Sequence, residues 1–178
     1  MDFRAALLEQ TRAFGDLIRS GDRDTPVPTC GDWTLEKLFR HVGRGNRWAA
    51  QIIIERRNEP LDPRDVPDGR PPDDRDAAAQ WLDSGAQMVL DAVDRVGSDT
   101  RVWTFLGPRP AGWWIRRRLH EATVHRADAA MALGADYELS PELSGDALSE
   151  WIERTCVDRR HPPRLDHGQS IHLHATEE

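Results

Sequence analysis

The stretch Arg118-Leu119-His120-Glu121-Ala122-Thr123-Val124-His125-Arg126-Ala127-Asp128-Ala129 decides how this 178-residue chain is read. It lies in a segment that predicts a helix from about Gly112 to Leu133, ended by Gly134, a residue suited to the left-handed turn past a helix end. His120 and His125 are five residues apart, about 140° around such a helix, so they cannot face one metal as the histidines of an H-E-x-x-H helix do. Glu121 and His125, at i and i+4, stand about 40° apart and project from one face.

Four further segments predict helices. Phe3 to Ser20 places Phe3, Leu7, Phe14, Leu17 and Ile18 near one face. After a loop with Pro26 and Pro28, Thr34 is a good N-cap and Glu36 suits the positive end of a helix running to about Arg57. Its inner stripe is Leu38, His41, Gly45, Trp48 and Ile52. The stretch from Asn58 to Asp74 carries Pro60, Pro63, Pro67, Pro71 and Pro72 and predicts an irregular surface connection. Arg75 to Val96 predicts a helix with Trp81, Met88, Val89, Ala92 and Val96 inward, ended by Gly97-Ser98. Arg101 to Gly112 predicts a loop anchored by Trp103 and Phe105. Ser140-Pro141 opens a fifth helix to about Val157. Four long helices with connections of about 10 to 17 residues predict a mainly α four-helix bundle with an extra C-terminal helix. Gln169 to Thr176 alternates as a short terminal strand does. Residues 1–160 are therefore expected to form the bundle. Residues 161–178 form a tail, expected to be the start of a truncated second domain.

Composition narrows the function. With 38% hydrophobic and 31% charged residues the chain predicts a soluble protein, and runs such as Ile52-Ile53-Ile54 are too short to span a bilayer. A net charge of −7 argues against nucleic-acid binding of the usual basic kind. Lys37 is the only lysine among 24 basic residues, a bias that fits a GC-rich genome and leaves a role only for local arginine clusters. Cys30 and Cys156, without an export signal, predict reduced packing thiols in a cytoplasm. The sequence leaves the oligomeric state open, a homodimer included.

Two ligands do not make a catalytic metal site, which usually has three and an open position. His41, on the inner stripe of the second helix, is the best third donor, so His41, Glu121 and His125 form the candidate metal set. Asp128, one turn beyond His125, can orient a ligand ring or pair with Arg126 or Arg44. Arg117 and Arg118 lie one turn before Glu121 and, with Trp48, are candidates for binding substrate, though charge runs on helices are usually solvated. His120 points away. His161, His167, His172 and His174 lie in the tail.

Two stretches are similar to motifs of the mycothiol-dependent maleylpyruvate isomerase family, within the wider DinB-like bundle superfamily. Gly31 to Val42 resembles the helix start W-T-x-x-x-L-x-x-H, and Arg118 to Ala129 resembles H-E-x-x-x-H-R-x-D-A. Leu139-Ser140-Pro141 with Gly145-Asp146-Ala147 is a weaker third likeness, so the resemblance covers about residues 2 to 160. Gly168 to Ala175 looks like the opening strand of that family's α/β C-terminal domain. The resemblance implies a divalent metal, usually zinc, on His41, Glu121 and His125. It implies mycothiol as a thiol cosubstrate and a small electrophilic substrate, in a transferase or isomerase. Part of that family's active site lies in the C-terminal domain, of which this sequence is expected to hold only the opening strand. The competing expectations are a non-catalytic metal-binding sensor or interaction module, and a polar network without metal.

Overall fold

The computed structural model describes residues 1–157 and 168–170. Among them are the five expected helices: α1 (Phe3–Arg19), α2 (Leu35–Ile54), α3 (Arg75–Val96), α4 (Trp113–Leu133) and α5 (Pro141–Val157). The ends follow from local chemistry. Asp2 accepts from the backbone N–H groups of Arg4 and Ala5, Thr34 from Lys37 and Asp74 from Ala77, so each side chain satisfies donors that the first helical turn leaves open. Gly134 takes φ 62°, the left-handed conformation that ends α4.

Cross-helix contacts fix the directions. Arg4 pairs with Asp94 and Arg19 with Asp76, so α1 and α3 are antiparallel. Gly43 meets Trp81, and Arg47 reaches Ser84, so α2 and α3 are parallel. His41 pairs with Glu121 and Asn46 with Arg118, making α2 antiparallel to α4. The bundle is therefore up-down-down-up. Because α2 and α3 run the same way, residues 55–74 travel back along its length, about 30 Å for a 20-residue helix. This return is pinned at two indoles: Trp48 Nε1 donates to the carbonyl of Leu61 at 2.8 Å, and Trp81 Nε1 to that of Asp68 at 2.7 Å.

The core has two lobes. One gathers Leu7, Ile52, Val89, Trp114 and Leu119, the other Phe14, Leu35, Leu38, Trp81 and Leu82. Among the buried polar groups are Asn46, Arg47 and Arg118. Arg47 lies 4.3 Å from the Trp81 ring centroid, and Arg118 Nε donates to Asn46 Oδ1 at 2.8 Å. Burial without these partners would be costly.

Several expectations are corrected. Met88 is 45% exposed, because the bundle opens beside it into a cleft shared with Ile54 and Val66. Trp81, Val89 and Ala92 are buried as expected, and the core face of α3 also takes in Leu82, Gly85, Ala86 and Val93. On α2 the core stripe is Leu35, Leu38, Val42, Asn46 and Ile53, while His41, Gly45 and Trp48 are only half-buried and line a cleft. Arg101–Val102 (β1) and Arg109–Pro110 (β2) pair antiparallel inside the expected loop, since residues 103–108 turn the chain back on itself. The expected strand over residues 169–176 falls, beyond its first two residues, outside the described part of the chain. No helix among the described residues is long and apolar enough to cross a membrane.

The fifth helix turns its charges inward. Arg116 pairs with Asp146 and Glu153, Arg117 with Glu150, and His120 with Asp146. Leu143 is its buried apolar anchor, while Leu148, Trp151 and Ile152 remain 43–48% exposed.

Candidate metal centre

Antiparallel packing of α2 on α4 brings His41 against the Glu121–His125 face. His41 Nε2 lies 2.9 Å from Glu121 Oε1, and His125 Nε2 lies 3.4 Å from the same oxygen. One donor atom from each of the three residues falls within 4.8 Å of the others. Ligand atoms about 2.0–2.1 Å from a tetrahedral ion stand about 3.3 Å apart. The observed spacing and the His-Glu-His donor set therefore fit a divalent metal.

Both imidazoles are held from outside. Trp33 packs against them, with ring centroids 4.9 Å from His41 and 6.4 Å from His125. His125 Nδ1 lies 2.8 Å from Asp128 Oδ2; a carboxylate oxygen accepts, so Nδ1 is the donor and Nε2 is left to face Glu121. Asp128 is itself fixed by Thr29 Oγ1, which donates to Oδ1 at 2.6 Å, and by the Cys30 thiol at 3.6 Å. Neither Arg126 nor Arg44 pairs with it.

Charge is concentrated on Glu121. Burial opposes its ionisation, but hydrogen bonds from His125 and His41 and the charges of Arg118 and Arg117 outweigh that, holding the carboxyl well below its ordinary range. For His125, burial lowers the pKa, yet Glu121 and Asp128 together raise it above the usual imidazole value. A cation is thus favoured beside these groups, whether a proton or a metal ion.

Glu121 and His41 form part of the floor of a cleft of about 420 Å³. Trp48 and Phe105 form an apolar side, and Lys37, Arg40, Arg44, Arg118 and Arg154 bring positive charge. Arg118 is 4% exposed and pairs with no carboxylate among the described residues; burial lowers its pKa to about 10. Besides Asn46 it donates to the Val42 carbonyl at 3.1 Å. Its guanidinium packs so closely on Gly45 that a Cβ there would come within 2.6 Å. Arg117 faces differently: its two Nη atoms are taken by Glu150 and Glu121. All three sequence-derived candidates, Trp48, Arg117 and Arg118, border the cleft, but Arg117 is committed to protein carboxylates. The expectation that the Arg116–Arg118 run is solvated fails, because α5 covers two of its residues and α2 the third.

His120 is turned away as its spacing requires, toward Asp146 at 2.6 Å. Thr29, Trp33, Lys37, Arg40, Glu150 and Arg154 are not site candidates in the sequence reading, where Arg44 enters only as a possible partner of Asp128 and Phe105 only as a loop anchor. Only Trp33 and the spacing of Lys37, Arg40 and Arg44 on the His41 face carry a signal there. The others come from loops or from α5, whose docking no local pattern announces.

An up-down-down-up bundle with two imidazoles and a carboxylate converging at a cationic cleft is the class that fold and site define. The chain belongs to the family described as the mycothiol maleylpyruvate isomerase N-terminal domain, matching it over residues 4–130. It is also similar to two uncharacterized proteins from strains of Mycobacterium tuberculosis, each 29% identical over 136 residues, or 74% of this chain and 66% of the relative. The match thus spans a little under two thirds of the length of those relatives. No solved structure matches the chain.

Proposed function

We propose that this protein is a cytoplasmic transferase or isomerase that uses a divalent metal, zinc, and a small thiol, mycothiol, to act on a small electrophile. The observation that carries the reading is the convergence of His41 Nε2, Glu121 Oε1 and His125 Nε2 beside an open cationic cleft. The family name supports the thiol. A metal held there would supply Lewis acidity, lowering the pKa of a thiol at its open position.

The chain's own residues have separate tasks in this reading. Asp128 keeps the proton of His125 on Nδ1, so that Nε2 can hold the ion. Trp33 packs on both imidazoles and limits their movement. Lys37, Arg40, Arg44 and Arg118 create a positive potential that attracts an electrophile bearing a carboxylate, with Trp48 and Phe105 along its apolar part. A closed, non-catalytic site would need a fourth protein donor. Cys30 stands on the Asp128 side of His125, away from the cleft, and His120 is occupied with Asp146, which favours the enzyme.

The test combines elemental analysis with mass spectrometry of the purified chain mixed with mycothiol and a panel of electrophiles, with and without carboxylates. One zinc per chain and thiol conjugates are expected, both lost in His41→Ala. A metal-loaded protein that conjugates no electrophile would sink thiol transfer. A chain without stoichiometric metal would sink the metal centre.

A further inference from the structure

We propose that Glu150 of α5, acting through Arg117, is a positioning residue of the metal centre: the pair occupies Oε2 of Glu121 and leaves Oε1 alone for the ion. This inference rests on the metal reading above. It also draws α5, which lies beyond the stretch matched to the family, into the site.

Glu121 has two oxygens with different surroundings. Oε1 faces His41 and His125. Oε2 accepts from Arg117 Nη2, one helical turn earlier on α4. The other end of the guanidinium faces Glu150, with Nη1 2.8 Å from Oε1 and 2.7 Å from Oε2. The Arg117 and Glu150 side chains are only 6% and 4% exposed, so neither can rotate into water without dismantling the contact between α4 and α5. Arg154 closes on the same carboxylate at 3.9 Å.

This geometry has two effects on an ion at the His41–Glu121–His125 cluster. A carboxylate free to swing can chelate through both oxygens and fill the position that a cosubstrate needs. Here the second oxygen is already engaged by a charge-assisted hydrogen bond. The other effect is electrostatic. Arg117 alone would place an uncompensated cation beside a divalent one. Glu150 cancels that charge at contact distance, in a buried setting where screening by water is weak. Glu150 therefore touches neither substrate nor ion, yet it sets how Glu121 presents itself to the metal. Changes to carboxylates that orient a ligand in this way typically weaken metal binding about 10- to 100-fold.

Full-length wild type, Glu150→Gln and the double variant Arg117→Met/Glu150→Leu are compared for Zn²⁺ affinity by chelator competition and for the visible absorption of the Co²⁺-loaded protein. Replacing a buried ion pair by apolar side chains of similar volume usually preserves folding, so the double variant carries the test if Glu150→Gln misfolds. Expected are Zn²⁺ binding weakened about 10- to 100-fold in Glu150→Gln, where Arg117 is left uncompensated, and weaker Co²⁺ bands in the double variant, the mark of a higher coordination number once Oε2 is released. A purely structural role for α5 would not move the cobalt spectrum. Wild-type affinity and an unchanged cobalt spectrum in a folded double variant would overturn the inference while leaving the metal centre standing. A wild-type chain that binds neither ion would instead overturn the metal reading itself.

Discussion

His125 stands between two carboxylates, with Nδ1 2.8 Å from Asp128 Oδ2 and Nε2 3.4 Å from Glu121 Oε1. The first contact fixes the ring and its proton, and the second faces the cleft. Asp128→Ala removes the acceptor that fixes the tautomer. Zinc affinity, measured by chelator competition, is expected to fall about 10- to 100-fold, while Asp128→Asn, which keeps an acceptor oxygen, loses less. Equal affinity in all three proteins would show that Asp128 serves only Thr29 and Cys30.

Metal should also stabilise the fold, because its ligands come from α2 and α4 and an unfolded chain offers no such cluster. At free zinc about 100 times its dissociation constant, the gain is about 2.7 kcal/mol. For a domain of this size that corresponds to about 5–10 °C in Tm. Chelation is expected to lower the melting temperature of wild type by that amount and to leave His41→Ala unchanged. A melting temperature insensitive to zinc in wild type would count against the site.

Gly43 is a packing residue rather than a flexible one. A Cβ at this position would lie 2.0 Å from Trp81 Cζ3. The indole cannot retreat easily, since its Nε1 is bonded to Asp68 and Arg47 and Phe39 pack on it. Alanine gains about 1 kcal/mol of helix propensity over glycine, but overpacking costs about 1–3 kcal/mol. A clash this deep belongs at the upper end, so Gly43→Ala should be net destabilising in urea unfolding. A more stable variant would show that Trp81 packs elsewhere.

Acid should loosen α5. For Asp146, burial opposes ionisation, but hydrogen bonds from Arg116 and His120 and their charges outweigh it, placing its pKa below the ordinary 3.8. The amino group of Met1 adds a weaker attraction. A carboxyl depressed in the folded state stabilises it at pH values above 3.8, and that contribution disappears as pH falls through the lower folded value. Over pH 4 to 2, wild type should therefore lose stability faster than Asp146→Asn, as read from urea midpoints. Parallel curves would rule out this contribution.

The bundle was legible because its helices carry strong punctuation: Thr34, Gly97, Gly134 and Ser140-Pro141 each mark an end found within a few residues. Glu121 and His125 were legible because i,i+4 geometry is local, and His41 because it sits on a regular stripe. The stripe lies shallower than its spacing predicts. His41 lines a cleft, since the face of α2 that meets α3 and α4 is centred on Val42 and Asn46. The roles of Arg117 and Glu150 were hidden for a different reason. They depend on α5 docking with its charges inward, the reverse of the amphipathic pattern from which a core is inferred.

The return segment of residues 55–74 has a consequence for how the molecule can be cut. Its prolines suggest a dispensable connection of the kind that proteases nick and engineers use to insert a second protein. Yet Trp48, which lines the cleft, and Trp81, which fills the core, both bond to its carbonyls. A nick or insertion between Leu61 and Asp68 would release a wall of the cleft and a lid on the core together.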